Sequence, residues 1–325
     1  MILKKGDEIR VLALSKSMSV LTNEQIDLAK KKIESMGFKV TFGKHVFECD
    51  DLYGCASIES RLEDFHEAIK DKNVKCILAA RGGYNVNQIL DRINYDLVKN
   101  NPKVICGFSD ITALLNAVYA KTGIITFSGP IYSNFGMKKG FDYTETAFQK
   151  IMLDNNPIEI ESSDYYSDDK WYKDQENRVF IKNSGMKVIN EGECKGTIIG
   201  GNLCTLNLLQ GTQYMPKLKD SILFIEDDDA SGKNFLLEFD RNIESIIQMD
   251  DFKYVKGIVI GRAQTKSEMN DEKWKVLVKS KEKLRNIPII INADFGHTTP
   301  IFTFPIGGKC TIDALNGNLK IIIEK

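Results

Sequence analysis

Apolar positions along the first 130 or so residues follow two alternating periods. Short continuous apolar runs at Ile9–Ser15, Phe38–Phe42, Val74–Ala80, Val104–Cys106 and Ile124–Phe127 predict buried strands. Between them the spacing becomes helical. Glu24–Met36 sets Ile26, Leu28, Ala29, Ile33 and Met36 in a helical pattern, with Gly37 placed to end the helix. Ser57–Lys70 carries a stripe of Ile58, Leu62, Phe65, His66 and Ile69, and Ser57 offers a capping oxygen. Further helices are predicted from Asn87 to Ile93 and over Asp110–Lys121. This strand–helix rhythm predicts a mostly parallel, doubly wound α/β sheet.

From Pro157 to Asn190 the periodicity fades. Asp164–Tyr172 mixes acids and aromatics without a period and reads as a linker plus a long loop. Loops of that length in compact proteins are usually functional or disordered. Strand signals then return at Gly196–Gly200, Ser221–Glu226, Val255–Gly261, Pro288–Ala293 and Leu319–Glu324. Helical stretches lie between them around Leu203–Leu209, Phe239–Gln248 and Glu272–Lys283. A second, α+β domain is expected. The predicted limits are 1–160 for the first domain, 161–190 for the linker and substrate loop, and 191–325 for the second domain.

Composition narrows the function classes. The 325 residues are 42% hydrophobic, enough for a large core and about two domains. Lys and Arg total 44 against 45 Asp and Glu, so no basic excess points to a nucleic acid polymer. The apolar runs are strand-sized, far short of the roughly 20 residues of a membrane span. Met1–Glu8 does not read as a signal peptide. Seven scattered cysteines, with no C-x-x-C, argue against a disulfide framework or a structural zinc site. The expectation is a cytoplasmic protein.

Candidate chemistry begins at Gly107-Phe108-Ser109-Asp110-Ile111-Thr112. A buried strand ends at Cys106, Gly107 permits a tight turn, and a helix begins at once. A serine at such a corner is exposed, and the next amide is ready to donate to an oxyanion. Ser109 or Asp110 could equally cap the helix, and the segment alone favours that simpler reading. Arg81-Gly82-Gly83-Tyr84 ends another strand, and its glycines let a ligand approach the backbone. In open α/β sheets, such corners face the ligand crevice. The pattern G-x-G-x-x-G is absent there, which disfavours a nucleotide-binding transferase.

A serine nucleophile needs a base. Of three histidines, His66 lies on a helical stripe and His45 has no partner motif. His297 follows a strand in a loop flanked by Gly296 and Pro300, a context suited to a presented side chain. Glu226 is the first acid after the Ser221–Ile225 run, so it is the one expected to be half buried. Asp227–Asp229 lack calcium-loop spacing, and no metal is expected.

Taken together these motifs resemble one family. Arg81–Tyr84, Asn101-Pro102-Lys103, Gly107–Leu114 and Gly129-Pro130 look like the N-terminal signature of the LD-carboxypeptidases and microcin C immunity peptidases. Gly200–Leu203, Leu223–Asp227, Gly296-His297 and Pro305-Ile306-Gly307 match the second half, and the likeness spans residues 5–315. The resemblance implies a flavodoxin-like N-terminal domain, a swivelling α+β C-terminal domain, a homodimer and no cofactor. It implies Ser109 as nucleophile, His297 as base and Glu226 as the orienting acid, with the N–H groups of Gly83 and Asp110 as the oxyanion hole.

The microcin-immunity-like branch is favoured by Asn85, Asn87-Gln88, Cys204–Leu209 and the loop bearing Trp171. The substrate expected is then a small peptide–nucleotide conjugate, with Arg81, Gly82, Trp171 and Tyr172 contacting it. Trp171 would stack on the base, or else simply pin the loop. Two positions depart from that branch: Arg81 stands where Trp is common, and Met186 where an aromatic is common. Arg81 instead suits a murein LD-carboxypeptidase reading a free carboxylate. A ligand-binding protein without catalysis, on the same scaffold, is the reading from another class.

Overall fold

The computed structural model describes residues 2–50 and 52–325. The first part runs β1 (Glu8–Leu12), α1 (Asn23–Ser35), β2 (Lys39–Phe42), α2 (Ile58–Lys70), β3 (Val74–Ala79), α3 (Tyr95–Asn100), β4 (Val104–Gly107), α4 (Thr112–Thr122), β5 (Thr126–Ser128) and α5 (Asp142–Leu153). Its five strands pair in parallel in the order β2-β1-β3-β4-β5. That order is flavodoxin-like, with the topological switch between β1 and β3. Parallel strands covered on both faces need apolar residues on both, and Ile77, Leu78, Ile105 and Cys106 are all buried.

Local chemistry sets the helix ends. Thr22 and Gln25 form a reciprocal capping box at the start of α1, and Gly37 adopts φ +94° just past its end. The helix expected at Asn87–Ile93 is instead a 3-10 segment, Val86–Arg92. It buries Val86 and Ile89, whose spacing of three falls on one face of the tighter spiral.

The second part runs β6 (Ile158–Glu159), β7 (Tyr165–Tyr166), β8 (Ile181–Lys182), β9 (Lys187–Asn190), β10 (Gly192–Asn202), α6 (Leu203–Asn207), β11 (Ser221–Glu226), α7 (Phe235–Ile247), β12 (Gly257–Gly261), α8 (Asp271–Ser280), β13 (Ile289–Ala293), β14 (Phe304–Ile306), β15 (Lys309–Ala314) and β16 (Lys320–Glu324). A mixed sheet takes the order β6-β16-β15-β10-β11-β12-β13-β9. Within it β10 to β13 are parallel, and at the C-terminal end of β10 the Asn202 N–H donates to Thr112 Oγ1, at the start of α4, at 3.0 Å. Three short strands cross the limits expected along the chain. β6 and β9 edge the second sheet, while β14 pairs antiparallel with β5 and completes the first.

The segment that reads as linker and loop folds into a two-stranded excursion, β7 against β8. The Ser167 and Thr299 backbones bond reciprocally at 2.7 Å, which ties the excursion to the His297 loop. Gln25, already half of the α1 capping box, donates from Nε2 to the Tyr172 carbonyl at 3.0 Å.

Candidate active site

Ser109 leaves β4 with φ +60°, a left-handed conformation that costs a side-chain-bearing residue about 1–3 kcal/mol. The turn lifts its hydroxyl into a cleft. The capping alternative fails on geometry: α4 begins at Thr112, and its capping residue Ile111 makes no side-chain cap bond. Ser109 Oγ instead lies 3.1 Å from His297 Nε2.

His297 lies on the loop between β13 and β14, with its ring edge-on to Phe108 at 5.4 Å between centroids. Its Nδ1 is 2.8 Å from Glu226 Oε2. Glu226 ends β11 and is 3% exposed. Gly296 has φ +102°, and a Cβ built there would lie 2.5 Å from Glu226 Oε2. The glycine therefore leaves the space in which the carboxylate reaches the imidazole. Asn202, at the end of β10, steadies the acid. Its Nδ2 donates to Glu226 Oε1 at 3.3 Å and to Asp227 Oδ1 at 3.1 Å. A hydroxyl, an imidazole and a carboxylate from two sheets thus form one hydrogen-bonded line.

The surrounding cleft has a volume of about 480 Å³. The turn after β3 forms one wall, and a Cβ on Gly82 would lie 3.0 Å from Ser109 Cβ. Gly83 sits against Ser15, where an added Cβ would come within van der Waals overlap of the hydroxyl. Among the described residues, neither the Gly83 nor the Asp110 N–H donates to a protein acceptor. Arg81, Trp171 and Tyr172 line the same cleft. Arg81 lies 5.8 Å from the Tyr172 ring centroid, and burial lowers its pKa. Trp171 is only 9% exposed, packs into the buried core, meets its neighbour Tyr172 edge-to-face at 5.9 Å and lines the cleft. The other two histidines lie elsewhere: His45 meets Glu48 and Glu63, and His66 Nε2 accepts the Asn94 N–H.

Family models describing the LD-carboxypeptidase N-terminal and C-terminal domains match residues 9–129 and 195–312. The chain belongs to the LD-carboxypeptidase family of serine peptidases. It is similar to a microcin-immunity-like (MccF-like) protein of Bacillus anthracis strain Ames, with a TM-score of 0.98 and 53% identity over 100% of this chain and 98% of that one. A candidate carboxypeptidase of Bacillus subtilis strain 168 is 50% identical over 99% of this chain and 98% of the relative. The microcin C7 self-immunity protein of Escherichia coli is 31% identical over 97% and 93%. A microcin C7 self-immunity protein in complex with aspartyl sulfamoyl adenosine superposes with a TM-score of 0.86 at 29% identity, covering 100% and 97%.

In this LD-carboxypeptidase family member, acidic side chains surround the His297 imidazole. Burial pulls the His297 pKa down. The charge and hydrogen bond of Glu226 push it up further, with Asp228 and Asp227 adding, to about 9. Asp227 is itself pushed up to about 6, by burial and then by the Glu226 charge. The family signature carries Asn202 and Gly296 within its motifs, but their work on Glu226 emerges only in three dimensions. Arg262 and Asp294 were invisible as a pair: they meet at 3.0 Å, 6% and 1% exposed, beside the His297 loop. Among the described residues no cluster of three or more His, Cys, Asp or Glu is placed to hold a metal ion. No helix there is long and apolar enough to cross a membrane.

Proposed function

We propose that this peptidase hydrolyses the amide bond of a small aminoacyl–nucleotide conjugate, with Ser109, His297 and Glu226 as its catalytic triad. The observation that carries the reading is the continuous line Ser109 Oγ–His297 Nε2 and His297 Nδ1–Glu226 Oε2, at 3.1 and 2.8 Å. His297 takes the Ser109 proton as Oγ attacks the amide carbonyl. The N–H groups of Gly83 and Asp110 receive the developing oxyanion. His297 then protonates the leaving nitrogen as the C–N bond breaks. Water, deprotonated by the same imidazole, cleaves the acyl-enzyme and restores the serine. Glu226 holds the tautomer and stabilises the imidazolium.

The conjugate reading is supported by the likeness to proteins solved with aminoacyl sulfamoyl nucleotides and by the aromatic wall at Trp171 and Tyr172. One observation favours a second substrate. Arg81 is a cation in the cleft with no carboxylate partner among the described residues, and it suits the free terminus of a murein tetrapeptide. Incubation with aspartyl sulfamoyl adenosine and, separately, with a murein tetrapeptide, followed by mass spectrometry, separates the two. Release of free aspartate and sulfamoyl adenosine is expected. Release of D-alanine alone would transfer the assignment to the murein substrate. An intact pair of substrates, with no serine-directed fluorophosphonate on Ser109, would leave a binding protein. Family resemblance further supports a cytoplasmic homodimer, and light scattering on the purified chain tests the dimer.

The raised His297 pKa sets a pH dependence. General-base catalysis needs neutral imidazole, so below about 9 the active fraction grows as protons leave. We expect kcat/KM to climb about tenfold per pH unit from pH 6 to 8 and to level near pH 9. Because the folded-state pKa exceeds the ordinary 6.5, this group's stabilisation is full below pH 6.5 and fades as pH passes 9. In Glu226→Gln the inflection moves toward 6.5. A wild-type inflection at or below 6.5 would contradict the electrostatic reading.

A further inference from the structure

Beneath the oxyanion donors lies a buried polar layer that the triad does not use. Asp110 is 2% exposed, and its carboxylate faces away from Ser109 into the protein. One oxygen, Oδ2, accepts three hydrogen bonds: from Ser15 Oγ at 2.5 Å, the Asn85 N–H at 2.8 Å and the Val86 N–H at 3.0 Å. Ser15 follows β1, Asn85 and Val86 follow β3, and Asp110 follows β4. A single carboxylate therefore gathers the turns at the C-terminal ends of three neighbouring strands.

Arg61 closes the layer from α2. It is 2% exposed, and its Nη1 donates to the Leu14 carbonyl at 3.3 Å and to the Asn85 carbonyl at 2.8 Å. Its Nη2 donates to Gln88 Oε1 at 2.7 Å. The guanidinium thus takes the carbonyls of the same two turns whose donors go to Asp110. A buried carboxylate with a cation nearby and three donors is satisfied, and satisfied buried networks hold their surroundings rigid.

That rigidity reaches the chemistry through Ser15. Gly83 packs so tightly on this serine that a Cβ would overlap its hydroxyl, and would lie 3.2 Å from the Lys16 N. The height of the Gly83 N–H is thus set by a hydroxyl whose own direction is set by Asp110. We infer that the Asp110 carboxylate, backed by Arg61, is a positioning group. It fixes the Gly83 donor relative to the Asp110 donor, so that one residue supplies half of the oxyanion hole with its backbone and aligns the other half with its side chain. The inference rests on the triad reading above and extends it to a residue in contact with none of the reacting atoms through its carboxylate.

Asp110→Asn tests it. The carboxamide keeps one oxygen for the three donors but loses the charge that holds them. We expect kcat to fall by about 10²-fold, near the loss on removing one oxyanion donor, with KM within about threefold of wild type. Ser15→Ala, which deletes only the hydroxyl, is expected to lose about tenfold in kcat. In a Ser109→Ala background, adding Asp110→Asn is expected to leave the calorimetric affinity for aspartyl sulfamoyl adenosine unchanged, because ground-state binding does not use the hole. Retention of wild-type kcat by both single variants would overturn the inference. So would a parallel loss of kcat and ground-state affinity, the mark of general damage. Fluorophosphonate labelling of Ser109 in the wild-type protein is read separately. Its absence would sink the triad reading, whatever the Asp110 variants do.

Discussion

Ser109→Ala is expected to lower kcat on the conjugate by about 10⁴-fold or more while leaving the melting temperature near that of wild type. The loss is large because the hydroxyl oxygen is the proposed bond-forming atom, and the proposed base and acid have nothing to activate without it. Stability should hold because the residue is small and lines a cleft, and its φ of +60° is a strain the alanine inherits. Glu226→Gln is expected to lose less, about 10³-fold, since a neutral amide still occupies the space beside Gly296 but no longer selects the imidazole tautomer. Steady-state kinetics with a circular-dichroism melt for each variant provides the check. Turnover within tenfold of wild type in Ser109→Ala would dismantle the proposed triad.

Arg262→Ala is expected to give the largest loss of stability, about 3–5 kcal/mol. Arg262 Nη2 meets Asp294 Oδ1 at 3.0 Å, Asn183 Oδ1 at 2.7 Å and the Asn292 carbonyl at 3.0 Å, and the guanidinium lies 4.5 Å from the Tyr166 ring centroid. Asp294 also accepts the Ser163 N–H at 2.7 Å. Deleting the cation leaves a carboxylate 1% exposed without its countercharge. The damage spreads in two directions, because Asp294 is three residues from His297 and Ser163 begins the excursion that carries Trp171. Urea unfolding followed by tryptophan fluorescence measures the loss. The double variant Arg262→Met/Asp294→Leu is expected to regain part of it, because two apolar groups need no partners. A single-variant loss under about 1 kcal/mol would mean that the pair carries little of the fold.

Much of this architecture is legible in the residue order, for physical reasons. Parallel strands are short and apolar throughout, so Val74–Ala79 and Ser221–Glu226 stand out with their ends almost unblurred. The turns after them are marked by glycine or by a sudden acid, which is how Gly82, Gly83 and Glu226 draw notice. What periodicity does not carry is partnership across long separations. Nothing local in Phe304–Ile306 announces that it will pair with β5 rather than with its chain neighbours. Arg262 and Asp294 each look like an ordinary polar residue ending an apolar run, and their meeting depends on β12 and β13 lying side by side. α5 has no side-chain cap at Phe141, so its start lacks the usual marker, although Phe148, Ile151 and Met152 bury one face. Asp110 shows the same limit in the other direction. Its place after the proposed nucleophile is plain in the sequence, whereas the three donors on its carboxylate come from 24 to 95 positions away.

The histidine-bearing stretch is moored at both ends, by β13 in one sheet and by β14 in the other. A protein whose two lobes swung freely would stretch this strap at every stroke and pull the His297 ring away from Ser109. The arrangement therefore favours lobes locked in a constant relation, with access to the cleft left to the smaller excursion around Trp171. It also means that the first lobe by itself, without the second lobe and β14, would keep a bare β5 edge and neither the proposed base nor the proposed acid, so exchanging lobes between relatives would have to carry β14 along with the first sheet.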